Sequence, residues 1–168
     1  PMAVGALGSY FVPLQIGAAG LAFPRLGAAG YLVYLTAGVL MAGSFFLPGG
    51  AANSGWTSYP PLAILASSGQ TVWLVGILLL GVSSMLSAVS LVATVVAYRA
   101  PGLTLMRLPF FVWSQVMTAL LLLLAFPALQ AAAVFQLMDR VVGTSFFLPS
   151  GLAVSNTPLA VSGGGNPL

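Results

Sequence analysis

Long apolar runs, separated by short segments rich in proline, glycine and arginine, make up most of this chain. Three runs reach the roughly 20 residues that a helix needs to cross a bilayer core: residues 26–47, 71–98 and 108–138. They end at "PGG", "RAPG" and "DR", none of which favours continuing an apolar helix. Residues 1–20 form a shorter apolar stretch, which we interpret as a partial span. The pattern predicts an all-α, polytopic transmembrane helix bundle, in which residues 139–168 form an outer-side loop after the last span.

The apolar runs do not have the period of membrane strands. A transmembrane strand alternates apolar and polar residues over about ten positions, whereas "ALLLLLAF" at 119–126 does not alternate. Helices satisfy their backbone hydrogen bonds internally, as a bilayer requires.

Composition supports the membrane assignment: the chain is 60% hydrophobic and 3% charged, against about a quarter charged in soluble domains. The net charge of +3 comes from four scattered arginines and one aspartate, so no basic patch indicates nucleic acid. Because histidine and cysteine are absent, the chain alone lacks the usual ligands of haem or copper, and we predict no metal site in it. No Walker, dinucleotide or Ser-His-Asp motif is present.

Helices in series alternate direction, which places Arg25, Arg99 and Arg107 on one side of the membrane. The positive-inside rule makes that side cytoplasmic, or matrix in a mitochondrion. The loop "NSGWTSYPP" at 53–61, hereafter the aromatic loop, then faces outward. Trp56 and Tyr59 in it are typical of an aromatic belt at the headgroups. Ser83 and Ser84, among other small residues of the second span, are typical of a helix-packing face.

Several strings together resemble subunit I of haem-copper cytochrome c oxidases. They are "GSYFVPLQIGAAGLAFPR", "SGWTSYPPLA", "LLLGVSSMLSAV", "LPFFVWSQVMTALLLLLAFPAL", "DRVVGTSFF" and "GGGNPL", in the family's order and over nearly the whole chain. The resemblance implies a segment from the end of helix II through helix V. It also implies a multi-pass protein of the bacterial cytoplasmic membrane or the mitochondrial inner membrane.

The family reduces O2 to water and translocates protons, using two haems and copper in the complete complex. The resemblance implies, as partners, the remainder of subunit I, other oxidase subunits, membrane lipid, and cytochrome c or quinol as electron donor. It places Trp56 beside the haem propionates, with Tyr59 as a supporting residue. An indole can donate one hydrogen bond while burying its ring. Ser83 and Ser84 match the family's "GVSS", so they are candidates for a proton path as well as for packing.

Other positions depart from the family. Its D-pathway Asp corresponds to Gly20, and the His of its fourth helix corresponds to Leu78. Two interpretations stay open: an oxidase that takes up protons by another route, or a cofactor-free, subunit-I-like scaffold of a respiratory assembly. A transporter fragment is less favoured, because the spans contain no ionisable residue of the kind that marks transport paths.

Overall fold

The computed structural model describes residues 2–55, 57–60, 62–147, 153–154 and 157–158. Its helices are a π-helical turn Met2–Gly8, then α1 (Ser9–Ile16), α2 (Pro24–Gly43), α3 (Leu62–Leu65), α4 (Ser68–Ala97) and α5 (Phe110–Val141). Short 3-10 turns occur at Ser44–Phe46 and Leu105–Arg107. Two-residue strands, β1 (Ala153–Val154) and β2 (Thr157–Pro158), pair antiparallel. The prediction of an all-α fold is confirmed.

Three helices within the described residues are long and apolar enough to cross a membrane. They are Pro24–Phe46, Ser68–Ala97 and Phe110–Val141, and they correspond to the three predicted spans. The first begins at Pro24 rather than at residue 26, because proline is compatible with a first helical turn. The third continues through Asp139 and Arg140, whose side chains both find hydrogen-bond partners. Residues 148–152, 155–156 and 159–168 of the predicted loop lie outside the described residues.

The chain divides into two compact units, residues 1–35 with 79–128 and residues 36–78 with 129–168. The first unit has an apolar core built from α1, α4 and α5. Its fully buried members include Val12, Val95 and Val112. Gly17, in the left-handed conformation at φ 70°, ends α1, as glycine commonly does. The Thr94 hydroxyl accepts a 2.9 Å bond from the backbone N–H of Ala22 and so ties the "AFPR" segment to α4.

The second unit has a more polar interior. Among the described residues of this unit, six polar side chains are buried, namely Ser44, Ser54, Ser58, Gln70, Gln136 and Asp139. Backbones approach closely where α4 begins. The Ser68 hydroxyl donates to the carbonyl of Pro48 at 3.0 Å, and a Cβ at Gly69 would overlap the carbonyl oxygen of Gly50. The start of α4 therefore requires glycine, and it fixes one end of the segment that carries the aromatic loop.

Candidate functional site

Ser58 is the anchor of the aromatic loop in the second unit. It is the non-glycine residue with positive φ among the described residues, at 50°, a conformation that a Cβ disfavours. Its side chain is 5% exposed. Its hydroxyl donates to Gln136 Oε1 at 2.9 Å and accepts from Gln70 Nε2 at 2.9 Å. Gln136 Nε2 also donates to the Ser58 carbonyl at 2.8 Å.

The two glutamines reach Ser58 from different helices. Gln70 lies in the first turn of α4 and is completely buried, and Gln136 lies in the last turns of α5 and is 8% exposed. Because the Gln136 amide both donates to and accepts from one residue, it fixes the Ser58 backbone and side chain together. The three side chains form one network, hereafter the Ser58 network. It joins the aromatic loop to α4 and α5.

Arg140, near the end of α5, binds the segment that follows the aromatic loop. Its two terminal nitrogens donate to the carbonyls of residues 63, 64, 66 and 67 at 2.6 to 2.9 Å. Its Nε donates to the Thr71 hydroxyl at 3.0 Å. All five N–H groups of the guanidinium are therefore used. They satisfy carbonyls at the end of α3, which a four-residue helix leaves unpaired.

Asp139 performs the complementary role for the chain after α5. Its side chain is 4% exposed. One carboxylate oxygen accepts from the Thr144 hydroxyl and from the Phe146 N–H, and the other accepts from the Phe147 N–H at 2.8 Å. A carboxylate at a helix C-terminus opposes the helix dipole, so these three donors offset that cost. Asp139 thereby orders the turn over residues 142–147, where Phe146 stacks on Phe135 with centroids 4.6 Å apart.

The predicted haem-side residues lie in this loop. Trp56 and Pro61 are outside the described residues. Tyr59 is one position after Ser58, and its side chain is 58% exposed. Its carbonyl accepts from the N–H of Ala63 at 3.0 Å. The side chain of Tyr59 is therefore exposed, while its backbone carbonyl is fixed by a hydrogen bond.

The predicted proton-path residues lie in the first unit. The Ser83 hydroxyl is buried and donates to the Gly30 carbonyl of α2 at 2.7 Å. The Ser84 hydroxyl donates within α4 to the Leu80 carbonyl at 2.9 Å. A Cβ at Gly30 would meet α4 atoms at 3.5 to 3.6 Å. Ser83 thus takes part in close packing of α2 on α4, and its role in a proton path stays a prediction.

Sequence reasoning missed Gln70, Gln136 and the clamp formed by Arg140. A signal was available for Gln136, because amides within apolar spans commonly hydrogen-bond across helices. The partners were not readable, since Ser58 and Gln136 are 78 residues apart.

The residues of this chain do not supply the usual ligand set of a haem or copper site. The chain contains no histidine or cysteine. Within the described residues no group of three or more His, Cys, Asp or Glu is assembled. The carboxylate of Asp139 is already occupied by three donors. In the second unit, hydrogen bonds at Ser58 hold the described part of the aromatic loop, and the side chain of Tyr59 is exposed beside it.

Comparison with known proteins identifies the wider context. The family model described as cytochrome c and quinol oxidase polypeptide I matches residues 1–161. The chain belongs to this family. It is 41% identical over 170 residues to the alternative cytochrome c oxidase subunit 1 of Bradyrhizobium diazoefficiens, covering 98% of this chain and 28% of the relative.

Further members of the oxidase subunit I family are similar to the same extent. The putative cytochrome c oxidase subunit 1-beta of Streptomyces coelicolor is 45% identical over 139 residues, covering 81% of this chain and 24% of the relative. The heme-copper oxidase subunit I+III of Aeropyrum pernix is 43% identical over 158 residues, covering 92% and 19%. The chain thus spans about a quarter of the length of the curated relatives it matches. The family and the apolar helices together make it part of an integral, multi-pass membrane protein.

Proposed function

We propose that this chain is part of the catalytic subunit of a respiratory terminal oxidase, which reduces O2 to water with electrons from cytochrome c and translocates protons. The observation that carries the proposal is the family match over residues 1–161, together with relatives named cytochrome c oxidase subunit 1. Quinol is the alternative electron donor. The membrane would be a bacterial cytoplasmic membrane or a mitochondrial inner membrane.

The role we assign to this segment is to form bundle scaffold and the propionate side of the haem site. When bound, haem and copper supply the electron transfer and oxygen chemistry, through ligands contributed by the rest of subunit I. Trp56 would donate its indole N–H to a propionate, and Tyr59 would support it from the same loop. The Ser58 network and Arg140 favour this role, because a hydrogen-bond donor needs a backbone that does not move.

The test uses the full-length subunit in its assembled, membrane-embedded complex. We expect haem absorbance and oxygen consumption with reduced cytochrome c. Trp56→Phe should shift the haem midpoint potential, since the Phe ring keeps most of the volume but cannot donate. Trp113→Phe is the matched control: its indole donates to the backbone carbonyl of Leu105 at 2.8 Å, and Trp113 lies in the first unit. If the haem midpoint potential of Trp56→Phe equals that of Trp113→Phe and of the wild type, a propionate-side role for Trp56 is contradicted.

We also propose Ser83 and Ser84 as members of a water-lined proton path. Each hydroxyl donates to a helix carbonyl, which leaves its lone pairs free to accept from water. Ser83→Ala and Ser84→Ala should slow proton uptake during turnover. Ser114→Ala is the control, because this exposed serine makes the same kind of bond to the Phe111 carbonyl. If the uptake rates of all three variants match the wild type, the two serines serve packing alone.

The second candidate is a cofactor-free, subunit-I-like structural subunit of a membrane respiratory assembly. Gly20 and Leu78, which stand where the family has an Asp and a His, favour it. A glycine offers no titratable entrance to a proton path, and a leucine cannot relay a hydrogen bond. A purified assembly of full-length subunits without haem absorbance would establish this candidate and refute the oxidase.

A further inference from the structure

Ser58 is a serine in a backbone conformation that favours glycine. Glycine adopts a φ of 50° without steric cost, and the chain contains 20 glycines. A serine at this φ is disfavoured and has to be stabilised by its surroundings. The Ser58 hydroxyl is hydrogen-bonded to both glutamines. The serine hydroxyl therefore makes hydrogen bonds that a glycine at this position could not make.

Burying the two glutamine side chains is also energetically unfavourable. Each buries an amide within or beside an apolar span, and Gln70 Oε1 has no hydrogen-bond partner in the described part of the chain. A buried acceptor without a partner is unfavourable. Leucine at position 70 would bury apolar surface without that cost. A glutamine at position 70 is thus not explained by the stability of α4. It is explained by its hydrogen bond to the Ser58 hydroxyl.

Ser58 stands between the two residues that the proposed function uses. It follows Trp56 by two positions and precedes Tyr59 directly. A bond to the Ser58 carbonyl, a bond from its hydroxyl and a bond to its hydroxyl remove the freedom of the backbone at that point. The bonds come from α4 and α5, so the loop conformation is tied to two spans.

We infer that Gln70 and Gln136 are positioning residues: by holding Ser58 in its left-handed conformation, they set the aromatic loop in the one conformation that presents Trp56 and Tyr59 to the haem propionates. This inference rests on the proposed function for its consequence at the haem. The holding of the loop itself stands on the contacts of the Ser58 network alone.

The experiment compares Gln70→Leu and Gln136→Leu with Gln130→Leu in the full-length, membrane-embedded complex. Gln130 is the matched control: it is a half-buried glutamine of α5, and it donates to the Leu78 carbonyl at 3.2 Å instead of to the loop. Gln136→Glu is added because it keeps the side-chain volume and removes the donor to the Ser58 carbonyl. It tests the inference if a leucine variant does not assemble.

Two measurements are made on each variant. Amide hydrogen exchange of residues 57–59 should accelerate about tenfold in Gln136→Leu, which loses both hydrogen bonds to Ser58, and by a smaller factor in Gln136→Glu, which loses only the bond to the Ser58 carbonyl. The haem midpoint potential should shift in the same variants and in Gln70→Leu, and Gln130→Leu should leave both quantities unchanged. Visible absorbance of the haem, measured in parallel, distinguishes a shifted potential from loss of the cofactor.

The outcomes separate the inference from the function on which it rests. Unchanged exchange in the Gln136 variants overturns the inference, and so does faster exchange with an unaltered haem potential. A wild-type complex without haem refutes the proposed function. The exchange measurement then still decides whether the two glutamines hold the loop.

Discussion

Arg140→Met tests how much of the second unit depends on one side chain. Methionine keeps an unbranched, apolar stem, but it removes all five donors. Four backbone carbonyls and the Thr71 hydroxyl lose their partner. Interhelical side-chain hydrogen bonds in membrane proteins average about 0.6 kcal/mol each, so five bonds correspond to about 3 kcal/mol. We expect the free energy of unfolding to fall by about that amount.

Arg140→Lys should lower the free energy of unfolding less than Arg140→Met does. An ammonium has three donors and lacks the planar fork of the guanidinium, so it can replace at most part of the five bonds. We expect a loss between those of the wild type and Arg140→Met, on the order of 1–2 kcal/mol. A loss as large as that of Arg140→Met would show that the geometry of the fork, more than the positive charge, stabilises the segment.

The assay is reversible denaturation of the full-length protein in detergent micelles, followed by far-UV circular dichroism and by proteolysis of the 62–67 segment. Arg107→Met is the control, because Arg107 is exposed and lies in the first unit. Exposed substitutions of this kind change stability by about 0.5 kcal/mol or less. If Arg140→Met costs no more than Arg107→Met, the five bonds do not stabilise the fold and the reasoning is refuted.

Two further predictions use the same denaturation assay. Asp139→Asn should lower the free energy of unfolding by about 1–3 kcal/mol. The carboxylate accepts hydrogen bonds through both of its oxygens, whereas an amide has one acceptor oxygen. Thr144→Val, which removes one donor of the three, should cost less, and a larger loss in Thr144→Val would contradict the assigned role of the carboxylate. Gly69→Ala should destabilise by at least about 2 kcal/mol, since its Cβ would overlap the carbonyl of Gly50. Gly38→Ala, with nothing within 4 Å of the new Cβ, should be neutral or stabilising by up to about 1 kcal/mol, and equal losses in the two alanine variants would refute the close approach.

The spans were predictable because their signal is local. Twenty apolar residues in sequence determine a membrane helix regardless of what surrounds it. The ends were less predictable because they depend on tertiary partners. Asp139 and Arg140 read as the polar exit of the third span, yet α5 continues to Val141. Their charges are accommodated by backbone groups from other parts of the second unit.

The candidate site was predictable in its location but not in its support. Proline, tryptophan and tyrosine marked the aromatic loop directly in the sequence. Ser58 carried no such mark, because its role depends on a positive φ and on amides 12 and 78 residues away. Contacts of that sequence separation follow from the way helices pack, and one sequence does not specify the packing in advance.

The Arg140 clamp imposes an order on biosynthesis. The carbonyls that it binds precede it by 73 to 77 residues. At a translation rate of about 5–20 residues per second, the ribosome needs roughly 4–15 seconds to reach the arginine codon after finishing the 62–67 segment. During that interval the carbonyls of the 62–67 segment lack the guanidinium that binds them in the folded chain. The segment that follows the aromatic loop therefore gains these hydrogen bonds only after the end of α5 has been synthesised.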